Sequence, residues 1–278
     1  MEIKMGGILK STWEMLHDGR FLKKALMIAC PVALQGMLNT IVNMVDTLMI
    51  GGLGSTAIAA VGLANKVFFV FSLLVFGIVS GGGILAAQFW GSGDVKNIRK
   101  VLGLCVMLAM VGAMFFVVPA LTAPRMVMRI FTTSEGSIEL GAKYLRIAAL
   151  SYPFIALTNV YVAMLRATNK VVFPVICSCI AIVVNICLNY VLIFGKFGAP
   201  TMGVAGAACA TLTARCIEVT LVLFYVYGKK LPLACGPKGM FGWHKAFITQ
   251  FWKHPPRSLQ MNLCGDWALP CIPWRMDV

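Results

Sequence analysis

An all-α membrane protein built as a bundle of six transmembrane helices is the fold this sequence predicts, and three observations predict it. The chain is strongly apolar, with 59% hydrophobic and only 12% charged residues and a mean hydropathy of +0.85. Its apolar residues collect into six long runs, each enough for a helix to cross a ~30 Å hydrocarbon layer at ~1.5 Å per residue. The segments between those runs carry fifteen Lys and Arg on one side against five on the other, the asymmetry expected when both termini are cytoplasmic. A soluble domain could not hide so many long apolar segments. The net charge of +14 therefore belongs to loops and not to a nucleic-acid interface.

The elements follow in order. Residues 1–24 place Leu9, Trp13, Leu16 and Phe21 among Lys10, Arg20, Lys23 and Lys24, the pattern of an amphipathic helix in the headgroup layer. The first span runs from Ala25 to Ile50 and ends in the glycine-rich turn Gly51 to Gly54. The second is Val67 to Trp90, where Gly77 and Gly81 form a GxxxG pair that permits close helix contact. The third is Val101 to Leu121, and a longer connection, Thr122 to Lys143, leads to the fourth at Tyr144 to Leu165. The fifth, Val171 to Gly195, carries Asn185 and Asn189 one turn apart. The sixth, Val204 to Gly228, carries Thr211, Arg215 and Glu218, the last two spaced for an intrahelical ion pair. The bundle thus occupies residues 25–230, a cytoplasmic linker 231–253 and a polar tail 254–278, in a plasma or inner membrane.

The most informative stretch lies in the first span. Gln35, Asn39, Asn43 and Asp46 are spaced four, four and three apart, which puts all four on one helix face. A carboxylate at membrane depth costs ~2.5–3.5 kcal/mol on insertion scales, so it faces protein or water, and an intramembrane acid is a functional-site candidate by default. Gln35, Asn39 and Asn43 read as cavity-facing, substrate-side groups. Pro31 removes a helical hydrogen bond four residues before Gln35 and marks a bend. Enzyme chemistry has no footing: there is no nucleophile, base and orienter set, no phosphate loop and no metal signature. The ten cysteines lie mostly in apolar runs without a CxxC pair and read as small hydrophobic fillers. His17, His244 and His254 match no zinc spacing.

These residues also fall into a family pattern. The matching stretches are Pro31, the N-x-V-D-T run from Asn43 to Thr47, Gly51-Gly-Leu-Gly54 and Ala59-Ala-Val-Gly-Leu-Ala-Asn65. Gln88-Phe-Trp-Gly-Ser-Gly-Asp94, Leu165-Arg-Ala-Thr168, Asn185 with Asn189, Ile193-Phe-Gly195 and Gly203-Val-Ala-Gly-Ala207 complete the set. In these stretches, spread in order over residues 25–228, the sequence resembles the multidrug and toxic compound extrusion (MATE) family. That resemblance implies twelve helices in two six-helix bundles, of which this chain covers the first. It implies export of cationic, amphipathic drugs or metabolites in exchange for inward H⁺ or Na⁺, with no cofactor beyond the coupling ion. It makes Asp46 the first-helix acid, Pro31 the helix bend, Asn185 the fifth-helix asparagine and Thr211 a sixth-helix oxygen. Asn189 stands where many members carry an aspartate, and Lys66 where a glutamine is common.

The residues allow two coupling ions. Asp46 with the amides of Asn185 and Asn189 offers an oxygen cluster for Na⁺, a hard cation that takes such ligands. Alternatively Asp46 alone carries a proton, and the missing second acid at Asn189 tilts the reading towards H⁺. Two other functions compete: a lipid-linked oligosaccharide flippase of the same superfamily, and a non-functional transporter fragment or membrane subunit. The tail sharpens the last. After Lys253 the apolar patterning stops, four prolines appear, and no membrane span is possible. The expectation is a shift of reading frame near residue 253, with the second bundle missing. A homodimer or a separately encoded C-terminal half would then complete the cavity.

Overall fold

The structure, a computed structural model, describes residues 19–198 and 200–236, with side chains from Cys30 onward except at Pro31, Val32 and Asn39. The predicted N-terminal surface helix lies largely outside those residues, as do most of the linker and all of the tail. The described residues form helices and no strands. In chain order these are α1 (Gly19–Gly51), α2 (Ser55–Gly91), α3 (Val95–Thr122), α4 (Pro124–Arg129), α5 (Glu135–Ala148), α6 (Tyr152–Ala167), α7 (Val172–Phe194) and α8 (Val204–Gly228). Helices α5 and α6 are joined by one tight turn, Ala149–Ser151, and together make a single pass, Glu135–Ala167. That pass, α2, α3, α7 and α8 are long and apolar enough to cross a membrane. With α1, whose apolar run is the first predicted span, they give the six-pass, multi-pass membrane architecture.

Each boundary has a local cause. Asp94 ends the Gly91 to Asp94 turn and caps α3, its Oδ1 accepting from the Asn97 N–H at 3.1 Å; a side-chain oxygen there satisfies a donor the helix leaves open. Gly195 closes α7 in the left-handed conformation (φ 64°), which costs a residue without Cβ nothing. Four starts lie earlier than hydropathy placed them: α1 and α3 begin six residues early, at Gly19 and Val95, and two others differ more. Helix α2 starts at Ser55, twelve residues before Val67, because Asn65 and Lys66 are exposed polar side chains on a continuing helix, not a loop. The fourth pass starts at Glu135, and not at Tyr144: its first turns are amphipathic, with Glu139 and Lys143 paired at 2.9 Å across one turn.

The core lies between α2, α3, α6 and α8. Phe71 is fully buried and stacks on Tyr152 with centroids 4.7 Å apart and ring planes 9° apart. Ile98, Leu102, Met164, Leu165 and Val222 belong to the same buried cluster. Gly77, Gly81 and Gly82 are buried in α2, and a Cβ at Gly82 would overlap Cys105 Sγ on α3, so the small residues do permit close approach. Helix α1 is held mainly by α7. Its opposite stripe, Leu34, Met37, Ile41, Met44 and Leu48, is exposed.

Helices α7 and α8 approach closely where Gly206 faces Leu192. A Cβ on Gly206 would lie 2.7 Å from the Leu192 carbonyl oxygen, and backbone cannot rotate away as a side chain can. Gly206→Ala is therefore expected to force the two helices apart and cost about 1–3 kcal/mol, read as a lower thermal midpoint of the detergent-purified chain. Gly62→Ala is the control, since nothing lies within 4 Å of its added Cβ. A stable Gly206→Ala chain would contradict the close approach.

Candidate functional site

Polar residues on α1, α7 and α8 meet at a cavity of about 550 Å³ inside the bundle. Asp46 of α1 is half-buried and lines it, with Asn43 and Thr47. Asn185 of α7 and Thr211 of α8 line it opposite, and Asn65, Ser72, Tyr144 and Asn159 add polar groups from α2, α5 and α6. Phe68 and Tyr152 supply an aromatic wall backed by Phe71. Polar and apolar side chains line this concavity in about equal share, and its size is that of a small-molecule site.

Three of the sequence-predicted residues join directly. Asn189 Nδ2 donates to Asp46 Oδ1 at 2.5 Å and to Asn185 Oδ1 at 3.2 Å. Asn185 Nδ2 makes a long contact of 3.5 Å to Thr211 Oγ1, whose own hydrogen goes to the Ala207 carbonyl at 3.0 Å. Asn189 is 1% exposed, and its side-chain oxygen is buried without a hydrogen-bond partner. Buried polar atoms are nearly always satisfied, so an orphan calls for an explanation. Among the described residues Asp46 forms no ion pair, and its second oxygen accepts no hydrogen bond. The carboxylate therefore faces protein and cavity and is not locked to a basic partner.

Below this cluster lies another on the same helices. Arg166 Nη2 donates to Gln35 Oε1 at 2.6 Å, and Gln35 Nε2 donates to Ser178 Oγ at 2.7 Å. Ser178 passes its hydrogen to Glu218 Oε1 at 2.7 Å, while Glu218 Oε2 takes Arg215 Nη1 at 2.7 Å. Four helices, α1, α6, α7 and α8, are thus tied by one chain of hydrogen bonds, charge-assisted at Arg166 and Glu218. Glu218 is 4% exposed, a depth at which a carboxylate is kept only if paired and hydrogen-bonded.

A family model, MatE, matches residues 31–191, more than half of the chain. The chain belongs to the MatE family. Among its MatE relatives, the "Probable multidrug resistance protein NorM" of Thermotoga maritima is 31% identical over 210 residues, 75% of this chain and 45% of that protein. The "Probable multidrug resistance protein YoeA" of Bacillus subtilis is 31% identical over 212 residues, 73% of this chain and 44% of that one. The chain spans about half the length of the curated relatives it matches. In fold it is similar to an outward-facing multidrug resistance MATE family transporter of the MOP superfamily, with a TM-score of 0.76 at 21% identity. That match covers 87% of this chain and 52% of the other.

Within this MatE half, the predicted stripe on α1 divides. Asn43 and Asp46 line the cavity, but Gln35 does not: its amide is spent on Arg166 and Ser178. The reason is depth, for Gln35 lies three turns below Asp46, level with Ser178 and not with the cavity. The side chains of Asn39 and Pro31 lie outside the described residues. Arg166 and Ser178 were not foreseen as partners. Arg166 ends a span in a basic turn and Ser178 is one small polar residue in an apolar run, so neither leaves a periodic signal.

Proposed function

We propose that this chain is the first half of a secondary active transporter that exports cationic or amphipathic compounds in antiport with H⁺ or Na⁺. The observation that carries this reading is Asp46 at the wall of an intramembrane cavity, hydrogen-bonded to Asn189 but not ion-paired. An inward-moving cation that neutralises Asp46 removes the counter-charge of a bound organic cation, so the two compete for one acid. Loss of that counter-charge, with rearrangement of α1 near Pro31, releases the compound outward by alternating access. The cavity's second wall would come from another six-helix unit, a second copy or a separate chain.

The flippase alternative is less well supported. A pyrophosphate-bearing lipid wants several cations in the cavity, whereas Arg215 is the one cation among its described lining residues, and Asp46 stands near it.

The oxygens of Asp46, Asn185, Asn189 and Thr211 suit Na⁺, a hard cation, and that of Asn189 has no hydrogen-bond partner among the described residues. A single acid also suits H⁺, and the absence of a second carboxylate at Asn189 favours it. The expected result is dye efflux from vesicles driven by an imposed pH gradient without Na⁺. Efflux that requires a Na⁺ gradient at fixed pH would assign Na⁺ instead.

A further inference from the structure

The cavity carries two charged side chains among its described lining residues, one of each sign: Asp46 on α1 and Arg215 on α8. They line the same cavity, yet among the described residues they do not join in an ion pair: Arg215 takes Glu218 instead. Each keeps an open side. Asp46 uses Oδ1 for Asn189 and, among the described residues, leaves Oδ2 without a hydrogen bond. Arg215 uses Nη1 for Glu218 and makes no other hydrogen bond among the described residues, with its side chain 34% exposed where it lines the cavity. Glu218 itself does not line the cavity; it steers the guanidinium from behind.

We propose that Arg215 is an anion-accepting subsite of this cavity, so that the preferred ligand is dipolar, its cationic group at Asp46 and a carboxylate or similar compact anion at Arg215. The inference rests on the transporter reading of the same cavity and narrows its ligand. A guanidinium offers five donors in a fixed fork matched to a carboxylate, and one bond to Glu218 leaves most of that fork available. A simple cation bound at Asp46 leaves the cavity-facing donors of Arg215, those not spent on Glu218, without an acceptor. A dipolar ligand pairs both ends, and a site whose polar groups would otherwise stay unpaired discriminates against the ligand that lacks the matching group. The span of about 550 Å³ holds a molecule of three or four rings.

Rhodamine 110, a zwitterion, and rhodamine 123, its cationic methyl ester, differ only at the carboxyl group. Their binding to the purified full chain in lipid nanodiscs, read by fluorescence anisotropy, tests the inference without requiring transport. The wild type is expected to bind rhodamine 110 about tenfold tighter than the ester, ~1.4 kcal/mol. In the double variant Arg215→Gln/Glu218→Gln, which removes both charges together and leaves no buried carboxylate unpaired, the ratio should fall to about one. Arg215→Lys, which keeps the charge but not the fork, should keep a reduced preference for the zwitterion. A wild type that prefers the ester, a preference that survives the double variant, or binding of neither dye overturns the proposal. If Asp46→Asn weakens both dyes while the double variant leaves their ratio alone, the exporter reading stands and only the Arg215 subsite falls. If Asp46→Asn leaves both affinities at wild-type values, the exporter reading fails as well.

Discussion

Asp46→Asn is expected to reduce cation-driven dye efflux from vesicles to the level of vesicles without the chain. Asparagine keeps the shape of aspartate and can still accept the Asn189 amide hydrogen that Asp46 accepts at 2.5 Å. What it loses is the ability to exchange a charge with H⁺ or Na⁺, and coupling needs a ligand whose affinity differs between the two ion states. Because the substitution is isosteric and the residue is half-buried at a cavity wall, thermal stability should change by no more than about 1 kcal/mol. A defect in efflux with intact stability separates a role in coupling from a role in folding. Equal efflux from both chains would remove Asp46 from the mechanism. No efflux from either would favour the reading of the chain as a non-transporting fragment.

Glu218→Ala is expected to be among the most destabilising single substitutions in the bundle. It strips the acceptor from Arg215 and from the Ser178 hydroxyl together and leaves a hole at a position 4% exposed. Removing one member of a fully buried pair costs about 3–5 kcal/mol. Arg215 is 34% exposed and recovers some solvation, which lowers the expectation to about 2–3 kcal/mol. The thermal midpoint of the purified chain should fall by roughly 5–10 °C. Glu218→Gln still accepts from Ser178 and should cost less. The Arg215→Gln/Glu218→Gln pair should recover part of the loss, a coupling visible in a double-mutant cycle. A Glu218→Ala chain within about 0.5 kcal/mol of wild type would show that the network contributes little to holding α6, α7 and α8 together.

How much of this was legible in the sequence depended on whether a residue left a periodic trace. The six apolar runs did, and α8 occupies Val204–Gly228, the bounds its hydropathy and small residues indicate. Asp46, Asn185 and Asn189 did too, as polar side chains at helical intervals in otherwise apolar spans, and the structure joins them. The Arg215 and Glu218 pair was readable from a spacing of three. The helix starts were less readable. Hydropathy stops at a charge, while a helix stops only when its hydrogen bonds do, so α2 continues past Lys66 and the fourth pass begins at Glu135. The partners of Gln35 were not readable at all. They lie 131 and 143 positions away, and the choice between a cavity and a neighbouring helix is made by the level along α1 at which a side chain meets α6 and α7, which one strand of text does not encode.

Helices α1 and α7 cross the membrane in the same direction and are fastened at two rungs, Gln35 to Ser178 and Asp46 to Asn189. On each helix the rungs stand eleven residues apart, three full turns at ~3.6 residues per turn, so the fasteners keep the same register on both. Sliding one helix along the other by a turn would undo both at once. Swinging α1 away at its upper end would undo only the Asp46 rung and leave the lower one as a fulcrum. Under the proposed antiport function, a cation bound at Asp46 would act on the rung that such a lever releases first.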